Sequence, residues 1–159
     1  MVEGRELRPA TGPLDSEGMP AMSMPIKKVA VSDVPVNRKR GGEMHILLSP
    51  LSVGSTSGFM GVGKLPAGER IITHRHPYSE EFMYVTHGTV TVTVDGEDLE
   101  VSAGEAVMIP KNTPHRLLNT SGEDAFAVFH SSPLAPRPDL GHVDMEAPVG
   151  PDLDPRVGG

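Results

Sequence analysis

Residues 89–94 alternate Thr-Val-Thr-Val-Thr-Val, and Asp95-Gly96 follows at once. A period of two puts every valine on one face of an extended strand and every threonine on the other. An Asp-Gly pair favours the type I′ turn, whose twist matches two antiparallel strands. The segment predicts a β-hairpin, with residues 97–101 as the returning strand.

The same reading extends along the middle of the chain. Further strands are expected over residues 45–53, 57–65, 70–76, 81–86, 106–109, 115–119 and 125–130. Gly, Pro, Asn or Asp separates nearly all of them. About nine short strands at 8–12-residue spacing predict an all-β sandwich or barrel. No segment shows a helical period. Glycine and proline agree with this: 18 and 16 residues make about a fifth of the chain, against roughly 12% in an ordinary mix.

Proline divides the 159 residues into three. Residues 1–25 hold four prolines, residues 133–159 hold six, and all six aromatics lie between Phe59 and Phe129. The ends cannot bury enough apolar surface to offset their own ordering entropy. The expected organisation is a disordered N-terminal tail over 1–25, a β-barrel domain over 26–132 and a Pro/Gly-rich extension over 133–159. Within that extension, 133–146 is expected to pack as an extended strap and the end from about 147 to be disordered. The net charge is −7. Such an acidic balance disfavours a nucleic-acid partner. No apolar run approaches the ~18 residues of a membrane span, and the N-terminus lacks the apolar core of a signal peptide. A soluble, cytoplasmic protein is the expectation. With no cysteine, a disulfide, a thiolate nucleophile and a cysteine-ligated metal are excluded.

Chemistry concentrates in two stretches. The first runs from Gly68 to Gly88 and contains His74-Arg-His76 followed by Glu80-Glu81. Two histidines two apart on a strand point to one face. Joined by a carboxylate after a short turn, they form a metal-ligand constellation. The plainer alternative is a pair of partly exposed histidines beside a turn. The second stretch runs from Gly104 through Pro110 and His115 to Asn119.

Together the two stretches resemble the paired motifs of the cupin family. The first motif, G-x5-H-x-H-x4-E-x6-G, is met by Gly68, His74, His76, Glu81 and Gly88. The second, G-x5-P-x-G-x2-H-x3-N, is met by Gly104, Pro110, His115 and Asn119. Asn112 stands where the family has glycine, and asparagine is the residue that best tolerates positive φ after glycine. The resemblance implies a small jelly-roll-like β-barrel, the double-stranded β-helix, with a metal held by His74, His76, Glu81 and His115. Glu81 is preferred over Glu80 because six residues separate it from Gly88, as the motif requires. Met83 and Val85 share its strand face, which reads as the interior. Phe82 and Tyr84 then face outward, toward a second sheet or a dimer interface.

The chain also resembles one cupin group, the small cyclases of aromatic (type II) polyketide biosynthesis of the tetracenomycin, resistomycin and spore-pigment kind. NRKRGGEMHILLSPLSVGSTSGFMG, HRHPYSEEFMYV, IPKNTPHRLLN and SPLAPRPDLGHVD carry this likeness. It implies regioselective aldol cyclisation and aromatisation of a poly-β-ketone at a divalent metal. The likeness favours zinc, while the ligand types also suit iron, nickel or manganese. Expected cavity residues, by strand parity, are Phe59, Ile72, Met83, Val85, Leu117, Phe126 and Val128. For proton transfer at an α-carbon, Glu81 and His130 are the candidates. His130 enters the cavity only if the face shared by Phe126 and Val128 is interior. Otherwise it is a rim histidine. His45, His87 and His142 show no partner pattern and read as surface or turn residues. Arg38-Lys39-Arg40 is the basic run of the core. It is either a solvated loop or a dock for an acidic acyl carrier protein, the partner that the likeness implies. A homodimer is also expected. Competing readings are another metal-dependent cupin enzyme, such as a dioxygenase or isomerase, and a non-catalytic ligand-binding cupin.

Overall fold

In the computed structural model, which describes residues 25–151, the hairpin forms as expected. Strands β5 (Thr89–Val94) and β6 (Glu97–Ser102) pair antiparallel, with Val90 opposite Val101 and Val92 opposite Leu99. Asp95 and Gly96 both take positive φ, as a type I′ turn requires. Val90 and Val92 are buried. The expected tails fall largely on residues 1–24 and 152–159, which lie outside the described residues.

The remaining strands are β1 (Glu43–Leu48), β2 (Phe59–Leu65), β3 (Arg70–Arg75), β4 (Glu80–His87), β7 (Ala106–Ile109), β8 (His115–Leu118), β9 (Ala125–Ser132) and β10 (Val143–Asp144). They form two five-stranded antiparallel sheets, ordered β1-β2-β9-β4-β7 and β10-β3-β8-β5-β6. The inner faces close on a core that includes Leu65, Ile71, Met83, Val85, Val92, Ile109 and Leu117. Each such side chain contributes roughly 1.5–3 kcal/mol of burial. Among the described residues no helix is long and apolar enough to cross a membrane.

The expected strand over 45–53 ends early. Ser49 and Ser52 exchange capping hydrogen bonds, Pro50 takes the first helical position, and Gly54 ends the turn at φ 73°. Residues Pro50–Val53 therefore form a single helical turn, α1, whose Ser-Pro start is a helix signature. The strap follows the barrel with a 3-10 turn at Pro138–Leu140 and then supplies β10, an edge strand paired with β3.

Asn112 sits at φ 59°, in the left-handed region that glycine and asparagine tolerate best. Asn119 is structural. Its amide donates to the carbonyls of Leu65 and Glu123 at 2.8 Å each, and its side-chain oxygen accepts from Ser121. It clamps the loop between β8 and β9.

Candidate metal centre

The site lies between the sheets. His74 on β3 and His115 on β8 are direct cross-strand partners, with ring centroids 4.2 Å apart. His76 follows β3 immediately, its ring 5.2 Å from that of His74. The next turn carries the chain into the other sheet, and the Ser79 hydroxyl pins it by donating to the Pro133 carbonyl at 2.6 Å. Glu81, on β4, therefore faces the histidines across the interior. Its Oε2 stands 2.6 Å from His76 Nε2 and 3.5 Å from His115 Nε2. One ligand atom from each of the four residues falls within 4.8 Å of the others. All four side chains are buried. Glu80 is half-buried and has the opposite strand parity.

Each imidazole is held by its far nitrogen. The Nδ1 atoms of His74, His76 and His115 contact the carbonyls of Ile72, Gly141 and Thr113 at 2.7, 3.2 and 2.9 Å. A carbonyl only accepts, so each Nδ1 carries the proton and each Nε2 presents a lone pair to the centre. Metal-ligating histidines are held in this way. The Nε2 atoms of His76 and His115 are buried and make no aligned hydrogen bond, although both approach the Glu81 carboxylate. Buried, unsatisfied lone pairs converging on one carboxylate fit a divalent cation.

The electrostatics agree. Burial, reinforced by His115, pushes His74 down to about 3, so the ring is neutral near pH 7. Burial alone would push the Glu81 carboxyl up. The contacts from His115 and His76 outweigh it and hold the group well below the usual carboxylate range. Burial opposes the charge on His115 as well, but Glu81 raises its affinity for a proton on balance.

The cluster opens on an apolar cavity. Phe59, Met83 and Leu117 line it, as parity predicts, while Phe126 reaches only its edge and is 40% exposed. Ile72 does not. A register shift between Ile71 and His74 resets the alternation of β3, so Ile71 faces the cavity with His74. Val85 packs in the hydrophobic core away from the cavity lining. Val128 and His130 lie on the outer face of β9, where His130 is exposed with its ring 6.2 Å from Phe82. The expectation that His130 reaches the site is corrected: the face of β9 that lines the cavity carries Ala127, Phe129 and Ser131.

His142 is the second correction. Instead of a surface residue it is a wall of the cavity, stacked on His74 with centroids 4.5 Å and planes 15° apart. Burial, then His74 and Arg40, depress its affinity for a proton strongly. His142 lies just before the two-residue β10, and no local period marked it. His45 is half-buried on β1, and His87 is exposed.

Arg38-Lys39-Arg40 is not one solvated loop. Arg40 lines the cavity, and its Nε donates to Asp144 Oδ1 at 2.5 Å. Arg38 pairs with Glu43 at 3.1 Å. The Lys39 carbonyl accepts from Val149 and Gly150.

Comparison with known proteins agrees with this fold. The cupin domain profile matches residues 61–130. The chain is 53% identical over 121 residues to polyketide synthase CurC of Streptomyces cyaneus, covering 76% of this chain and 79% of the relative. It is 42% identical over 133 residues to tetracenomycin polyketide synthase protein TcmJ of Streptomyces glaucescens, covering 83% and 89%. The fold superposes on the polyketide cyclase RemF of Streptomyces resistomycificus with a TM-score of 0.60 at 21% identity, covering 82% and 90%.

Proposed function

Because this chain belongs to the cupin family, and CurC and TcmJ are among its relatives, we propose that it is a polyketide cyclase of aromatic polyketide biosynthesis. It folds a poly-β-ketone into one register, closes a ring by intramolecular aldol condensation and releases water on aromatisation. One observation carries the reading: three imidazoles, each anchored through Nδ1, present Nε2 toward Glu81 at the end of an apolar cavity.

His74, His76, His115 and Glu81 would hold a divalent ion, zinc in our proposal. Three neutral imidazoles and one carboxylate suit a redox-neutral site, and the same donors accept iron, nickel or manganese. When bound, the ion supplies Lewis acidity to a ketone oxygen. The protein supplies the rest. Phe59, Met83, Leu117 and Phe129 wall a space in which a flexible chain is confined, and confinement converts conformational freedom into proximity. The α-carbon proton goes to a base as the new carbon–carbon bond forms, and the attacked carbonyl oxygen takes a proton. Glu81 is the carboxylate within the cavity and the proposed base when it is not engaged as a ligand.

The finer proposals follow. The growing chain arrives tethered to an acidic acyl carrier protein, which meets Arg38 and Lys39. The working form is a homodimer joined through the sheet face of Phe82 and Tyr84, in the cytoplasm.

Elemental analysis of the purified protein, paired with product profiling beside a minimal polyketide synthase, tests the reading. The expected result is near-stoichiometric zinc and a redirected cyclisation pattern. Replacing His74, His76 or His115 with alanine should abolish both. The loss of affinity should exceed the roughly 10–100-fold that follows removal of a partner hydrogen-bonded to a ligand. Full metal content in His74→Ala, or an unchanged product profile with the native protein, overturns it.

A further inference from the structure

We propose that the strap of residues 141–146 is a working part of the metal centre, with His142 and Asp144 as positioning residues for the ligands His74 and His76. The proposal rests on the reading of the cluster as a metal site and concerns how the protein holds that site rigid.

The strap lies antiparallel on β3, with Val143 opposite Arg75 and Asp144 opposite His74. This register turns His142 and Asp144 inward and Val143 outward. His142 then touches two of the four clustered side chains. It lies flat on His74, and its edge meets His76 at 4.6 Å and 87°. The residue before it acts on the same pair, since the Gly141 carbonyl accepts the Nδ1 proton of His76 at 3.2 Å. Among the described residues no other carbonyl holds that ring. The strap thus sets the tautomer of one ligand and the ring plane of another.

The strap is itself bolted down. Asp144 accepts from Arg40 Nε at 2.5 Å and stands 3.3 Å from His142 Nε2. The Met145 N–H donates to the Thr73 carbonyl at 2.9 Å. Glu146 accepts from the Thr73 N–H at 3.0 Å and pairs with Arg70 at 2.9 Å. These bonds grip β3 at Arg70 and Thr73, before His74, and Val143 pairs with Arg75 just after it.

His142 holds position without being a ligand. Its Nε2 stands 3.3 Å from Asp144 without an aligned hydrogen bond, and it is not one of the four residues whose ligand atoms converge. The torsion that turns an imidazole plane is broad and soft, so a buried ring laid against His74 removes a motion that the backbone does not restrict. Partners hydrogen-bonded to a ligand, as Gly141 is to His76, typically carry roughly 10–100-fold in metal affinity, and the low end of that range sets the scale for the stacked ring.

The test measures zinc affinity of the full chain by competition with a chromophoric chelator, together with the visible spectrum of the cobalt(II)-substituted protein. His142→Ala should weaken zinc about 10-fold or more and alter the cobalt bands, while the melting temperature of the metal-free protein stays close to native. His142→Phe keeps a flat ring on His74 and should recover most of the affinity. Asp144→Asn replaces the ion pair with Arg40 by a weaker neutral-acceptor hydrogen bond and should weaken zinc in the same direction. Native zinc affinity and cobalt spectrum in both His142→Ala and Asp144→Asn overturn the proposal. So does a fall in affinity that merely tracks metal-free stability and is not rescued by phenylalanine. If His142→Ala does not fold, Asp144→Asn decides, and native affinity there is a refutation. If the native protein binds neither zinc nor cobalt, the metal reading fails and takes this one with it. Native binding with unaffected variants overturns only the role of the strap.

Discussion

The backbone N–H of Asn112 donates to the carbonyl of His76 at 2.8 Å. This bond ties the turn between β7 and β8 to the segment that carries two of the clustered histidines. It forms because Asn112 occupies the left-handed region at φ 59°, which asparagine enters at low cost.

Asn112→Gly should therefore leave stability and metal content near native. Asn112→Val should cost about 1–2 kcal/mol, the penalty of the left-handed region for a residue with a bulky Cβ, and weaken metal binding because His76 loses its tether. Urea denaturation and chelator competition measure both. Equal stability of the glycine and valine variants would show that the turn relaxes freely.

The metal-free protein should lose stability as pH falls below 6.5. Folded His74 is pushed down to about 3 from an ordinary 6.5. Between those values the unfolded chain binds a proton that the folded chain refuses, so unfolding is favoured as pH drops. Above pH 6.5 both states hold His74 neutral and this contribution is flat. Buried His142 acts in the same direction. His115, raised in the fold, opposes them. Melting curves in chelator from pH 8 to 5 should slope downward with acid, less steeply in His74→Gln. A flat native curve contradicts the assignment.

The outer face of the β4-bearing sheet leaves Phe82 44%, Tyr84 46% and Met108 46% exposed. Apolar surface grouped in this way favours association. Sedimentation at micromolar concentration should give twice the 16.9 kDa chain mass, and Phe82→Glu should give the monomer with its metal retained. A native species at 16.9 kDa removes the dimer.

The basic run should separate into two behaviours. Reversing Arg38 and Lys39 should slow association with a carrier-bound substrate roughly 10-fold at low salt, and added salt should erase the difference. Arg40→Glu instead sets two carboxylates together beside the cavity. It should cost more than about 1 kcal/mol of stability and loosen the metal at any salt concentration. Identical salt responses in the two variants would contradict this division.

Much of the site was legible because its signals are local. The alternation of Val90 and Val92, the Asp95-Gly96 turn, the His74-x-His76 spacing and the left-handed Asn112 each depend on a few neighbouring residues and on backbone sterics. Those signals are enough to define a strand-rich barrel and to bring out the histidine pair, and the resemblance of the two motifs to the cupin family added Glu81 and His115.

Tertiary pairing decided the rest. Parity says which residues of a strand share a face, not which face is interior, so Ala127, Phe129 and Ser131 took the cavity while Val128 and His130 took the surface. A bulge resets parity, so Ile71 replaced Ile72. β10 is two residues long, too short for any period, and His142 reaches His74 only because the strap pairs with a strand some seventy residues earlier. Local sterics shape each strand from its own sequence. Burial and ladder hydrogen bonds are settled between distant strands, and they alone determined which side chains meet.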